Sequence, residues 1–135
     1  MFFKNKPPHT RWVSSYMNQD LIRITTFSGY RRSAYDPEGY QFVFAPSVDD
    51  ATLGEAVIKA LSKSRMIKEK DFTTFFDYKR IEKYYKDWIA YCQKTYGYKT
   101  KKAMFKHMDH CSITSENGEI TIEPWHHEKI EAWGE

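Results

Sequence analysis

The sequence predicts a single α+β domain, residues 1–135, in which a mostly antiparallel sheet packs against two main helices. Three observations carry this. Strand-like runs, then amphipathic helical runs, then a turn-bearing pair of strands follow one another along the chain, the order of a sheet with segregated helices rather than of alternating βαβ units. Asn117-Gly118 sits between two alternating runs, the strongest short signal for a hairpin. The 135 residues, 41% apolar and 17% aromatic, have the length of one domain and supply rings enough for a core.

Residues 11–17 and 21–27 carry Trp12, Val13, Ile22, Ile24, Thr25 and Phe27, β-branched and aromatic residues that suit strands. Polar Asn18-Gln19-Asp20 between them reads as the turn of a hairpin. Alternation puts Ile22, Ile24 and Thr26 on one face and Arg23 and Thr25 on the other. Asp36-Pro37-Glu38-Gly39 is a turn signal, because proline presets φ and glycine accepts a positive one. Residues 29–39 are therefore expected to be a loop rich in Arg, Tyr and acids. Residues 40–44 alternate as a third strand, stopped by Pro46.

Asp49 or Asp50 then caps a helix. Leu53, Val57, Ala60, Leu61 and Ser64 recur at three- to four-residue spacing as its apolar stripe. Lys59, Lys63 and Arg65 fall at its negative end, where cations are favoured. Residues 66–76 read as irregular, with Phe72, Phe75 and Phe76 plugged into the core. A second helix runs from about Asp77 to Tyr96 and stops at Gly97, a left-handed cap. Ile81, Tyr84, Tyr85, Trp88, Ile89 and Cys92 form its buried face. Thr100 caps a short helix through Met108, with Ala103, Met104 and Met108 inward. In the final hairpin Ile113, Ile120 and Ile122 are placed to face the core. Pro124 is expected to end the strand, and residues 126–133 to form a helical turn packing Ile130 and Trp133.

No run of 18 or more apolar residues exists, so no membrane span is expected, and the first residues lack the apolar stretch of a signal peptide. A cytoplasmic location follows, with Cys92 and Cys111 as reduced core thiols. The net charge of +3 conceals blocks: +5 over residues 1–35, −5 over 36–57, +9 over 58–106 and −6 over 107–135. Such blocks create local potentials far above the net value.

Candidate chemistry is sparse. His107, His110, Cys111 and the adjacent His126-His127 are the only clustered soft ligands, and they lack the spacing of a zinc site, so no metal and no cofactor are expected. Neither a nucleophile elbow nor a phosphate-binding glycine loop is present, so the chain is not read as an enzyme. Lys94, Lys99, Lys101, Lys102 and Lys106, interleaved with Tyr96, Tyr98 and Phe105, raise a nucleic-acid reading, since lysine contacts phosphate and rings stack on bases. The plainer reading is that the rings pack inward and the lysines are solvated. The rival function is thus a small RNA-binding or ribonuclease domain using the basic 58–106 block.

Several segments carry a resemblance. They are Leu53-Gly54 leading to Ala60-Leu61-Ser62-Lys63-Ser64-Arg65, then Phe75-Phe76-Asp77 with Tyr84 and Trp88, and Tyr96-Gly97-Tyr98-Lys99-Thr100 through Phe105 with Met108. Cys111-Ser112-Ile113-Thr114, Glu119-Ile120-Thr121-Ile122-Glu123-Pro124 and residues 127–133 complete the set. In this order they resemble the bacterial immunity proteins of contact-dependent growth inhibition (CDI). The resemblance implies a bacterial cytoplasmic inhibitor that forms a one-to-one complex with the C-terminal toxin domain of its cognate CDI effector. It also implies that the toxin is a nuclease, often acting on RNA, and that the inhibitor itself binds neither nucleic acid nor membrane. An acidic, ring-bearing edge would fill the basic cleft of such a toxin. The residues expected to form it are Tyr35, Asp36, Glu38, Glu116, Glu119, Glu123 and Trp125, with Tyr35 and Trp125 as anchors.

Overall fold

A computed structural model describes residues 9–129 and 132–134. Seven strands appear in chain order: β1 (Thr10–Met17), β2 (Ile22–Gly29), β3 (Ser33–Tyr35), β4 (Gln41–Phe44), β5 (Asp109–Glu116), β6 (Glu119–Lys129) and β7 (Ala132–Gly134). Four helices complete the domain: α1 (Asp50–Lys63), α2 (Phe72–Phe75), α3 (Tyr78–Tyr96) and α4 (Lys101–Phe105). The sheet is antiparallel and runs β3-β2-β1-β5-β6-β7, with β4 also on β2. The α+β architecture is the one expected.

The 29–39 segment is more regular than a loop. β3 pairs with Phe27–Gly29 and β4 with Ile22–Thr25, so the two act as one interrupted neighbour of β2. The excursion between them holds the Asp-Pro-x-Gly turn. It returns so close to β2 that a Cβ on Gly39 would lie 2.4 Å from Thr26 Cβ, a contact only glycine permits.

Strand alternation divides the sheet into two faces. Val13, Ile22, Ile24 and Ile113 point to one face and pack with Ala60 and Leu61 of α1. Asp49 caps α1 by accepting the Thr52 N–H at 2.8 Å. At the other end Arg11 Nη1 donates to the carbonyls of Leu61 and Ser62 at 3.2 and 2.8 Å, satisfying groups the helix leaves open. Ser64 ties that end to the sheet, accepting the Trp12 N–H and donating to the Phe27 carbonyl.

The opposite face lies under α3 and α4. Asp77 caps α3, and Gly97 (φ 76°) ends it in the left-handed region. Trp88, Ile89 and Cys92 meet Leu21, Met104, Phe105 and Met108 in a second core. Phe75, Ile67 and Ala34 form a third, small cluster, with Phe72 and Phe76 against it.

Four local expectations are corrected. Ala103 is exposed, and Phe105 takes the inward place beside Met104 and Met108. Ile120 and Ile122 are 47% and 63% exposed: they share a face with buried Ile113, but α1 packs on β1 and β2 and does not reach β6. Pro124 does not end its strand. β6 runs on to Lys129, and β7 pairs only with His126, His127 and Lys129, so beside Pro124 the strand is an edge, where proline is tolerated. The backbone of 126–129 and 132–134 is accordingly extended rather than helical; the packing expected of Ile130 and Trp133 lies outside the described residues. Cys92 and Cys111 are free thiols.

Candidate functional site

α3 packs over the β2, β3 and β4 side of this face and over Tyr16 of β1, while the β5–β6 end of the face, with Glu116, Glu119, Thr121 and Glu123, is exposed. Register assigns Trp12, Ser14 and Tyr16, then His110, Ser112, Thr114 and Glu116, then Glu119, Thr121, Glu123 and Trp125 to this same face. A groove of about 470 Å³ runs along it, with Ser14, Ser112 and Thr114 in the lining, Glu123 and Trp125 on one bank and Arg31 and Arg32 on the other.

The groove floor is held by stacked rings. Trp125 Nε1–H donates to Ser112 Oγ at 2.6 Å, which fixes the indole against the sheet. Its ring stacks on His110 at 6.0 Å, His110 stacks on Tyr16 at 4.4 Å, and Tyr16 meets Trp88 of α3 at 4.8 Å. His110 Nε2 lies 3.1 Å from Ser14 Oγ. Burial pushes the imidazole pKa down to about 4, so this ladder is uncharged near neutral pH.

The acids lie at the free end of the hairpin. Asn117 (φ 54°) and Gly118 (φ 81°) both take positive φ, as the tight two-residue turn requires. That turn sets Glu116 directly opposite Glu119 on one face, both exposed. Like charges in that relation repel. Glu123 is exposed four residues further along the strand, on the same face.

The structure thus puts Glu116, Glu119, Glu123 and Trp125 on one face of the last hairpin, with Glu123 and Trp125 lining the groove and the Glu116–Glu119 pair at the turn. The other three expected site residues lie elsewhere. Tyr35 is half-buried under α3, its ring 3.6 Å from that of Tyr84, its carbonyl accepting from Arg80 Nη1 at 3.0 Å. Asp36 is buried and spent internally. It accepts from Ser28 Oγ at 2.6 Å, from Arg65 Nε and Nη2 at 2.8 and 3.2 Å, and from the Glu38 N–H at 3.0 Å. Glu38 is exposed and pairs with Arg65 Nη2 at 2.8 Å. Asp36 therefore positions the turn. In the sequence His110 stood out only as a possible metal ligand and Trp12 only as a strand residue, and Arg31 and Arg32 were not marked as site residues. The parity of the Asn-Gly hairpin was the signal that places His110 beside Trp125.

The lysine-rich 94–106 run forms no stacking platform. Tyr96 and Tyr98 pack on the α3 core and Phe105 is fully buried, while the lysines point outward. His110 and Cys111 are successive strand residues on opposite faces. Among the described residues no group of three or more His, Cys, Asp or Glu is placed to hold a metal ion. No described helix is long and apolar enough to cross a membrane.

A small α+β domain that leaves the β5–β6 end of one sheet face exposed, with stacked rings beside it and acids along it, has the form of a protein-binding module. Residues 11–135 match the family model described as CDI immunity protein, and the chain belongs to that family. It is 42% identical to the immunity protein CdiI-YPIII of Yersinia pseudotuberculosis serotype O:3 (strain YPIII), over 91% of this chain and 76% of that one. Among solved structures it is similar to the CdiA-CT/CdiI toxin and immunity complex from Yersinia pseudotuberculosis. There the TM-score is 0.84 at 38% identity, covering 93% of this chain and 79% of that chain. A protein of unknown function, NMB0488 from Neisseria meningitidis, also has a TM-score of 0.84, at 34% identity over 96% of this chain and 80% of its own.

Proposed function

We propose that this protein binds the C-terminal toxin domain of its cognate CDI effector one-to-one in the bacterial cytoplasm, and neutralises it by covering the active cleft. The observation that carries this reading is the grouping of Glu116, Glu119, Glu123 and Trp125 on the open sheet face. A toxin that cleaves nucleic acid, RNA being the substrate the family resemblance implies, must present a basic cleft to phosphates. An acidic rim steers such a cleft inward, and an indole fixed by Ser112 supplies a rigid anchor of the kind that dominates interfaces. The like-charge pair Glu116 and Glu119 is relieved when a cation of the partner sits between them. The solved relative described as a toxin and immunity complex supports a toxin as the partner.

The test is co-purification with the cognate CDI toxin domain, followed by a toxin activity assay. A one-to-one complex with abolished activity is expected. A protein that ignores the toxin and retains RNA through the 58–106 block would replace this reading with the nucleic-acid one.

A further inference from the structure

Arg23 projects from β2 toward α3 and is 1% exposed. Its Cζ stands 4.9 Å over the Tyr84 ring and 4.4 Å over the Trp88 ring. Those contacts offset part of the lost hydration, but they leave the edge of the guanidinium unused. Nε and Nη2 are both buried, and no group among the described residues accepts a hydrogen bond from either. A buried donor without an acceptor is costly, and a buried cation without a counter-charge more so. The carboxylates nearest the opening do not answer this need: Asp87 holds Lys83 at 2.7 Å and Glu82 holds Lys86 at 3.1 Å.

Nε and Nη2 are the two nitrogens that clasp a carboxylate side-on. Arg65 uses the same pair on Asp36, at 2.8 and 3.2 Å. Nε and Nη2 are screened from solvent, so a carboxylate reaches them only as a neighbouring side chain moves aside, and Arg23 borders space for one. It lines a cavity of about 420 Å³ that extends toward Gln41 and Tyr91, and a second of about 530 Å³ that extends toward Phe27. Both fall in the range of small-ligand sites, roughly 300–1,000 Å³, which are mostly apolar with a few placed polar groups.

We infer that Arg23 is the receptor of a carboxylate-binding site under α3, with Nε–H and Nη2–H taking the two oxygens of one carboxylate while Tyr84 and Trp88 hold the guanidinium. The carboxylate belongs either to a small organic acid or to an Asp or Glu side chain inserted by the bound toxin. The second source rests on the function proposed above.

The test is a titration of ¹⁵N-labelled protein with benzoate and with glutarate, against sodium chloride at matched ionic strength, following the Arg side-chain Nε–H signals. A saturable downfield shift of the Arg23 signal with the organic acids, absent with chloride, is expected. Arg23→Met removes the signal and the binding, while Arg65→Met leaves the binding intact. Should Arg23→Met fail to fold, Arg23→Lys keeps the charge without the fork and binds at least about tenfold more weakly. No shift at Arg23 with either acid up to about 50 mM, far above a millimolar Kd, overturns the site; so does equal binding by wild type and Arg23→Met. Toxin domain is then added to the benzoate-loaded protein. Displacement of benzoate assigns the natural carboxylate to a toxin side chain, and a ternary complex assigns it to a small acid. If the toxin does not bind at all, the proposed function fails while the carboxylate site stands on the titration.

Discussion

Asp36 accepts both the Nε–H and the Nη2–H of Arg65, at 2.8 and 3.2 Å, and this pair joins the β3–β4 turn to the residue just beyond α1. Two elements 29 residues apart are thereby clamped to the end of β2 through Ser28.

The clamp depends on pH with a defined sign. Burial by itself would raise the Asp36 carboxyl. The hydrogen bonds from Arg65, Ser28 and the Glu38 amide outweigh it and hold the pKa below the ordinary value. The resulting stabilisation is fully present above the unfolded carboxylate pKa of about 4 and is lost as pH falls through the lower folded value. Asp36→Ala is expected to cost about 2 kcal/mol at pH 7, as several buried hydrogen bonds go, and less at pH 3. Urea denaturation at both pH values measures the difference; an equal cost at both would contradict it.

His110 predicts a second acid effect. Its pKa is lowered to about 4 in the folded protein by burial. A base with a depressed pKa stabilises the fold fully above its unfolded value, about 6.5, and progressively less as pH falls toward 4. His110→Gln should therefore lose less stability than wild type between pH 7 and pH 4.5. Thermal melts across that range check it, and parallel curves for the two proteins would refute it.

Much of this arrangement was legible in the sequence. Thr100 read as a helix cap and acts as one, Asp49 is the cap of the Asp49-Asp50 pair, and Asp77, read as the start of the second helix, caps it; capping is legible because it is a local hydrogen bond between near neighbours in the chain. Gly97 and Asn117-Gly118 were legible because positive φ has few residue choices. The acids of the final hairpin were legible as a cluster, and their shared face followed from strand parity. The exposure of Ile120 and Ile122 was not. Alternation tells which residues share a face but not how far a helix extends over it. Nor did Asp36 betray its burial, because its partner Arg65 lies across the fold. Arg23 read only as the residue opposite two isoleucines, and nothing local shows that α3 closes over it.

Arg23→Met is expected to leave the free protein at least as stable as wild type. Methionine fills similar space and adapts to aromatic surroundings. The loss of contacts to Tyr84 and Trp88, on the order of 2 kcal/mol, is set against relief from burying a cation whose Nε and Nη2 lack acceptors, several kcal/mol. A melt that falls by more than about 5 °C would show instead that Arg23 is a structural residue.

Glu119→Lys should raise the stability of the free protein by about 0.5 kcal/mol, since it turns a repelling cross-strand pair with Glu116 into an attracting one. The gain should shrink in high salt. Chemical denaturation at low and high salt measures both effects. A destabilised variant would mean that the two carboxylates are not facing each other.

The most direct test of toxin docking on the open sheet face is the affinity of the toxin domain for the Glu119→Lys, Glu123→Lys double variant, measured by calorimetry beside wild type. Both residues are exposed, so the fold is not at issue. A loss of at least about 100-fold, near 2.7 kcal/mol, is the predicted result. Unchanged affinity would place the toxin on another surface of the molecule.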